Sequence, residues 1–425
     1  MQSIHSIRGM HDILPDATPT WRWLENQLAA LFDAYDFREI RIPLVEKAEL
    51  FSRAIGQATD VVEKEMYAFA DRNGDVLSLR PEGTAGVVRA AIQHGLLNSP
   101  GLKVWYRGPM FRHERPQRGR QRQFHQFGAE VFGLAGPDVD AELIALGERI
   151  WHRLGLDRGV RLEINTLGDP QDRQRYRARL IEYLEPYTAD LDADSQRRLT
   201  TNPLRIFDSK HPQTQAIMAG APRLAETLGP EAREHFEQVC AILDGLGIGY
   251  RINPGLVRGL DYYCRTVFEW ITDELGAQGT VCAGGRYDGL VGVQGGKDTP
   301  GIGFALGVER LVELLAHHGA ERSQAPQVYL VCQAAALDGL RLAEELRDKL
   351  PALRLATHLG GGSFKAQFKR ADRSGARYAL VLGEAEIASG VCQIKDLRGT
   401  APQETLPREA IAGRIGQLLP GVDAV

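Results

Sequence analysis

The two apolar-rich stretches Leu102–Phe111 and Gln123–Phe132, joined by a long polar loop, constrain the fold more than any other feature of the chain. Strands linked by a loop without a crossover helix pair antiparallel. Strands at Phe37–Ile42, stopped by Pro43, and at Val76–Arg80 precede them. Trp21, Leu24, Leu28, Leu31 and Phe32 recur at helical spacing, which predicts a helix over Trp21–Tyr35; a second is expected over Gly83–His94. Helices before and after an antiparallel sheet predict an α+β fold rather than a doubly wound one.

Residues from about 169 to 250 change character. Gln171–Leu184 and Pro230–Leu246 are charged and amphipathic, with turn signals at Asn202-Pro203 and His211-Pro212, and the region reads as a mainly helical insertion. Strands resume at Thr266–Ile271 and Gly279–Ala283, and the glycine-rich run Gly301–Gly307 leads into a helix over Val308–His317. After a polar linker at His318–Pro326, strands at Val328–Cys332, Leu353–Thr357, Tyr378–Leu382 and Val391–Asp396 alternate with helices at Leu337–Leu350 and Phe364–Ser374. A final helix closes this compact α/β domain, which is long enough to own a core.

With 51 basic and 55 acidic residues the net charge is −4, which excludes bulk electrostatic coating of nucleic acid but not a local basic site. The five cysteines form no CxxC pair, so neither a disulfide framework nor a structural zinc is expected, and a reducing compartment fits them. No apolar leader opens the sequence, and no run of about 18 apolar residues occurs. The expectation is a cytoplasmic protein with no membrane partner.

The segment Arg107–Arg122, from the end of the first long strand through the loop that follows it, holds Arg107, Arg112, Arg115, Arg118, Arg120 and Arg122 against one acid, Glu114. Most charge runs are solvated faces. This one lies between apolar strands, contains Pro109, Pro116 and Gly119, and uses arginine without lysine. Forked, permanently charged donors suit phosphate oxygens, so phosphate or RNA contact is the preferred reading. In the return strand Phe124, Gln126, Gly128 and Glu130 share one face, while His125, Phe127, Ala129 and Val131 share the other and read as core. A buried Glu130 would need a cationic or N–H-bearing partner. Arg80, Glu82 and Thr84 share a face if the segment Leu79–Thr84 is extended. Arg258 beside Gly259, with Tyr262 and Tyr263, forms a second polar–aromatic cluster, and Cys282–Asp288, with Arg286 and Tyr287, is similar in character. Tyrosine pairs more often pack than bind. The run Gly301–Gly307 is neither GxGxxG nor a phosphate loop and reads as tight strand-to-helix packing.

Phe111-Arg-His-Glu114 with its arginine-rich loop and Phe124 resembles motif 2 of the class II aminoacyl-tRNA synthetases, and Gly301–Arg310 resembles motif 3. The strand ending at Pro43 after a long helix resembles motif 1, which implies a homodimer. Within the class, Leu256–Tyr263 and Ala283–Asp288 resemble the two signature peptides of the histidyl-tRNA synthetase family; Arg80–Thr84 and Gly360–Lys365 agree. The resemblance implies an antiparallel-sheet catalytic domain over 1–168 and 251–320, a helical insertion over 169–250 and a C-terminal α/β anticodon-binding domain over 326–425. The short N-terminus implies a bacterial-type member.

By that resemblance the partners are L-histidine, ATP with Mg²⁺, and histidine tRNA, and no protein metal site is implied. Arg112 would meet the α-phosphate, Arg258 would hold the substrate carboxylate against it, and Arg310 would clamp the γ-phosphate. Phe124 would stack the adenine and Glu114 would bind its amino group. Glu82, Gly83, Thr84 and Gln126 correspond to the α-amino site; Glu130 and Tyr263 would face the imidazole nitrogens, with Tyr262 and Tyr287 completing the wall. Gln117 corresponds to a position near the 5′ end of the tRNA. In the C-terminal domain Lys365, Lys369 and Arg373 form a basic stripe opposite Phe364, Phe368 and Ala371. Residues 326–425 hold 13 basic and 11 acidic residues, so the stripe counts for more than the total. For any one of its lysines a solvated face is an equal explanation. The alternative is a synthetase-like, histidine-binding regulatory subunit of histidine biosynthesis. That reading would predict loss of the three arginines and of the C-terminal domain.

Overall fold

The computed structural model describes residues 3–56, 59, 61–117, 119–201, 203–276, 279–333 and 336–422. Arg118 and Asn202 lie outside them. The chain divides into two compact units, Met1–Arg322 and Ser323–Val425.

The first unit begins with α1 (Thr18–Ala34), β1 (Arg38–Glu39), β2 (Val45–Lys47), α2 (Ala48–Ile55), β3 (Ala68–Ala70), β4 (Val76–Leu79) and α3 (Thr84–Gln93). The long hairpin is β5 (Leu102–Phe111) and β6 (Gln123–Phe132), followed by α4 (Pro137–Leu154) and β7 (Arg161–Thr166). The insertion contributes α5 (Pro170–Leu184), α6 (Ala193–Thr201) and α7 (Pro212–Ala219). The chain returns through α8 (Pro230–Gly245), β8 (Tyr250–Ile252), β9 (Cys264–Ile271), β10 (Thr280–Arg286), α9 (Leu290–Val293), β11 (Gly301–Gly307) and α10 (Val308–His317).

The main sheet has the order β1-β5-β6-β11-β10-β9-β7-β8. It is antiparallel except at its edges, where β1 runs parallel to β5 and β8 parallel to β7. Its back face carries the core that the β6 alternation predicts. Phe127, Ala129 and Val131 pack with Leu24, Leu28 and Phe32 of α1, Ile144 and Trp151 of α4, and Leu311 and Leu314 of α10. Phe32 stacks on Trp105 and Phe127 with ring centroids 5.5 and 6.2 Å apart.

Two expectations are corrected. The strand read over Phe37–Ile42 is a ladder at Arg38–Glu39 alone, extended by one bond from Ile40 N to Trp105 O. Pairing thus ends at Ile40, three residues before Pro43. Helix α8, grouped with the insertion by its charge pattern, packs on α4 and places Val239 and Leu243 in the main core. The insertion's own core is smaller and comprises Tyr176, Leu180, Leu184, Leu191, Ile206, Met218 and Leu224. Amphipathicity shows that a helix has a buried face, not which core receives it.

Arg286 at the end of β10 is fully buried and pairs with Asp140 of α4. Its other donors reach Leu134 O, Gly136 O and Asp288, and Asp140 also meets His235 of α8 at 3.1 Å. Arg286 therefore faces the scaffold and not the front of the sheet.

In the second unit β12 (Val328–Cys332), α11 (Ala336–Lys349), β13 (Leu355–Thr357), α12 (Phe364–Arg373), β14 (Tyr378–Leu382), α13 (Glu384–Ala388), β15 (Val391–Asp396), β16 (Glu404–Pro407) and α14 (Ile411–Leu418) follow in order. The sheet runs β13-β12-β14-β15-β16, parallel over the first three strands and antiparallel beyond. The short α13 and β16 carry no periodic signal of their own. Removing Asp140 leaves the buried Arg286 with the partly exposed Asp288 as its one remaining carboxylate, so Asp140→Ala is expected to cost about 3 kcal/mol, read as a lower urea midpoint of the N-terminal unit.

Candidate active site

The front of the sheet encloses a cavity of about 320 Å³ between β5, β6, β9, β10 and β11. At its base, the β6 face predicted to line a pocket does so. Glu130 is 1% exposed and stands opposite Val104 of β5 and Gly303 of β11. Gly303 makes the space: a Cβ there would lie 1.7 Å from Glu130 Oε2. Thr84 Oγ1 donates to Glu130 Oε1 at 2.7 Å, and the Tyr287 hydroxyl donates to Oε2. The expected cation or N–H partner is thus replaced, within the protein, by two hydroxyls. Burial pushes the Glu130 carboxyl up to about 8, the Tyr287 and Thr84 hydroxyls offsetting this in part.

The segment Leu79–Thr84 is not extended as the sequence suggested. β4 ends at Leu79 and Thr84 opens α3. Glu82 turns onto that helix start, accepting from Thr84 N at 2.7 Å and Ala85 N at 2.8 Å. Two N–H donors at a helix N-terminus hold an acid well, yet burial still raises the Glu82 carboxyl above its ordinary range. Arg80 leaves the pocket: its guanidinium donates to Pro109 O and Ile42 O. Gly83 lets Tyr106 approach, since a Cβ there would lie 2.1 Å from the ring.

Tyr262, Tyr263 and Tyr287 form one wall, with ring centroids 4.7 to 6.4 Å apart. Arg258 lies over Tyr263 at 5.2 Å, and its Nη1 pairs with Glu269 of β9. Its buried Nε has no hydrogen-bond partner within the protein.

At the other end the cavity is cationic. Arg112 lies 5.3 Å from the Phe124 ring centre and donates from Nε to Pro81 O at 2.9 Å. Glu114, buried, pairs with Arg120 at 2.7 Å and stands 4.0 Å from Arg112. Arg310 donates to Gly119 O and Thr280 O, binding the loop between β5 and β6 to the first turn of α10. Burial lowers the Arg310 pKa, and the charges of Arg120 and Arg112 lower it further. Four guanidiniums lining one cavity favour a polyanion.

Glu82, Thr84, Arg112, Glu114, Phe124, Gln126, Glu130, Arg258, Tyr262, Tyr263, Tyr287 and Arg310 all line this one cavity. Gln117 is exposed on the loop, bridged to Arg120. Lys365, Lys369 and Arg373 lie in the other unit as exposed residues of α12. Gln367, on the opposite side of that helix, bonds Cys332 N and O, both at 2.9 Å. Sequence reasoning missed Tyr106 and Glu269. Tyr106 stands opposite Gly128 in the ladder, and a Cβ on Gly128 would lie 2.2 Å from its ring. The alternation used for β6, applied to β5, would have found it. Glu269 lies in a strand buried on both faces, where alternation gives no signal. Among the described residues no group of three or more His, Cys, Asp or Glu gathers to hold a metal ion.

An antiparallel sheet with an arginine loop, a glycine-rich strand leading into an arginine-bearing helix and a carboxyl-floored pocket defines a class II aminoacyl-tRNA synthetase. The family model described as Histidyl-tRNA synthetase matches residues 9–311, and that of an anticodon binding domain matches 327–418. The chain belongs to the histidyl-tRNA synthetase family. It is 58% identical to a protein named Histidine–tRNA ligase from Alkalilimnicola ehrlichii, over 100% of this chain and 98% of the relative. A second of that name from Halorhodospira halophila is 58% identical over 96% of each. The crystal structure of apo S. aureus histidyl-tRNA synthetase superposes with a TM-score of 0.80 at 36% identity, covering 97% of this chain and 99% of that one.

Without substrate, folded Glu130 keeps its proton where the unfolded chain has lost it. The stability that Glu130 contributes is therefore lost as pH rises from about 4.5 to about 8, and that loss levels off above. Glu130→Gln has no charge to bury and should lack this fall, so the variant gains on the parent in urea midpoints compared at the two ends of that window.

Proposed function

We propose that this chain joins L-histidine to histidine tRNA, with the cavity around Glu130 activating the amino acid. The observation that carries this reading is the pairing of a fully buried carboxyl floor with a mouth lined by Arg112, Arg120 and Arg310 in one cavity. An imidazole N–H given to Glu130 and a Tyr263 hydroxyl given to the other ring nitrogen would satisfy both polar edges of histidine. Apolar isosteres would leave the buried carboxyl unpaired, which discriminates strongly. Glu82, Thr84 and Gln126, which line the cavity, take the α-amino group, with Gly83 providing the backbone beside them.

The histidine carboxylate attacks the ATP α-phosphorus. The bond to the β,γ-phosphates breaks, and pyrophosphate leaves with its electron pair, giving the adenylate. A tRNA 3′-terminal hydroxyl then attacks the acyl carbon, loses its proton and releases AMP. Arg112 and Arg258 offset charge gathering on the α-phosphate, with Arg258 also holding the carboxylate in line, and Arg310 takes the γ-phosphate. Phe124 offers a plate for the adenine and Glu114 an acceptor for its amino group. Mg²⁺ would enter on the ATP phosphates and shield their charge, rather than sit in a protein cage.

The basic stripe Lys365, Lys369 and Arg373 is assigned to the anticodon side of the tRNA, Gln117 to its 5′ end and the insertion to its acceptor stem. Leu44 and, on the small sheet β2-β4-β3, Val45, Phe69 and Val76 are exposed. Exposed apolar side chains so near Pro43 support a homodimer. Among the described residues no helix is long and apolar enough to cross a membrane, and the five cysteines are free. Both fit a cytoplasmic place in translation. The regulatory-subunit alternative is not favoured, because Arg112, Arg258 and Arg310 are retained in one cavity and the C-terminal unit is present.

The test is pyrophosphate exchange into ATP with each of the twenty amino acids. Exchange with histidine alone is expected, and Glu130→Ala should lose it by about a hundredfold or more while keeping a native circular-dichroism spectrum. Wild-type exchange by that variant would sink the assignment. Lys365→Ala/Lys369→Ala should leave exchange intact, raise the KM for tRNA and flatten its salt dependence by about two counterions.

A further inference from the structure

The groups assigned to the histidine carboxylate and imidazole, Arg258 and Tyr263, stand on the irregular segment between β8 and β9. Nothing in that segment's own sequence supplies a ladder, so its position depends on ties to neighbours. On one side Asp261 N donates to Ile55 O at the end of α2, at 3.2 Å. On the other side the tie comes from the insertion. Arg173, in the first turns of α5, donates from Nη1 to Tyr263 O at 2.7 Å and approaches Asp261 O at 3.4 Å.

The root of α5 is itself fastened next to Tyr263. Asp169 caps the helix in a reciprocal box with Asp172 and forms a two-pronged pair with Arg265, at 2.7 and 3.2 Å. Arg265 has φ +46°, a left-handed backbone that a side-chain-bearing residue rarely adopts. Its N–H and C=O bond Gly168 O and Leu167 N. Strain of this kind persists only where surroundings over-determine it. Here they fix the start of β9, two residues from the Tyr263 ring.

We propose that Arg173 is a positioning residue for the histidine pocket. From the insertion it holds the Tyr263 carbonyl, and so sets the Tyr263 ring and the Arg258 guanidinium stacked on it. Arg173 does not line the cavity, so its loss acts through Tyr263 and Arg258, the groups that meet the amino acid, and leaves the adenine and γ-phosphate contacts of ATP in place. This rests on the pocket reading above.

The test measures pyrophosphate exchange with Arg173→Ala, Arg173→Lys and, as reference, Glu130→Gln. Arg173→Ala should raise the KM for histidine by about tenfold, the scale of one charge-assisted hydrogen bond, with the KM for ATP unchanged. Arg173→Lys, which restores a cationic donor, should recover most of the loss. An unchanged histidine KM, an equal rise in both KM values, or a lysine variant no better than alanine would overturn the inference. If Glu130→Gln also leaves the histidine KM untouched, the pocket reading itself fails; if only the Arg173 variants do, that reading stands and this inference alone falls.

Discussion

A carboxyl group with no solvent is the constraint around which the catalytic unit is arranged. Glu130 can stay buried only because two hydroxyls from distant parts of the chain, Thr84 and Tyr287, meet its oxygens. It fits only because the facing strand carries glycine at position 303. Each partner is held in turn. Thr84 is fixed by the helix start that Glu82 caps, and Tyr287 follows Arg286, whose guanidinium is locked to Asp140. A buried ion pair is weak evidence for stability in itself. Here its use is geometric, since it ties the end of β10 to α4.

The cavity is electrostatically divided. Its floor favours a neutral carboxyl until a ligand brings a donor, whereas its mouth concentrates guanidiniums that repel one another. Burial lowers the Arg310 pKa first, and the charges of Arg120 and Arg112 add to that. Ligand and site complete each other at both ends: histidine supplies the donor that Glu130 lacks, and a triphosphate supplies the anion that the arginines share. The two ends differ in how firmly they are built. The floor stands on ladder strands, whereas Arg258 and Tyr263 stand on loop backbone held from outside.

Much of the site was legible in the chain. Period-two alternation in β6 separated the core residues Phe127, Ala129 and Val131 from the pocket residues Phe124, Gln126 and Glu130, because a strand can only alternate. The arginine loop was conspicuous for its composition. Illegible were the positions set by long-range packing. Arg80 and Arg286 carry the same sequence signal as Arg112 and Arg258, yet both turn into the scaffold. Tyr106 fills a slot made by Gly83 and Gly128, two glycines far apart in sequence.

The sequence by itself determined the elements, the α+β class, the arginine-lined loop and the family, because propensity, alternation and motif spacing are local properties. The tertiary structure decided which helix joined which core, as with α8, and which of several similar arginines faced the cavity. It also decided that Glu130 would meet hydroxyls rather than a cation. Those outcomes depend on what lies across a ladder or beyond a turn. No local pattern encodes them, because the energy of a buried polar group is fixed by its neighbours in space.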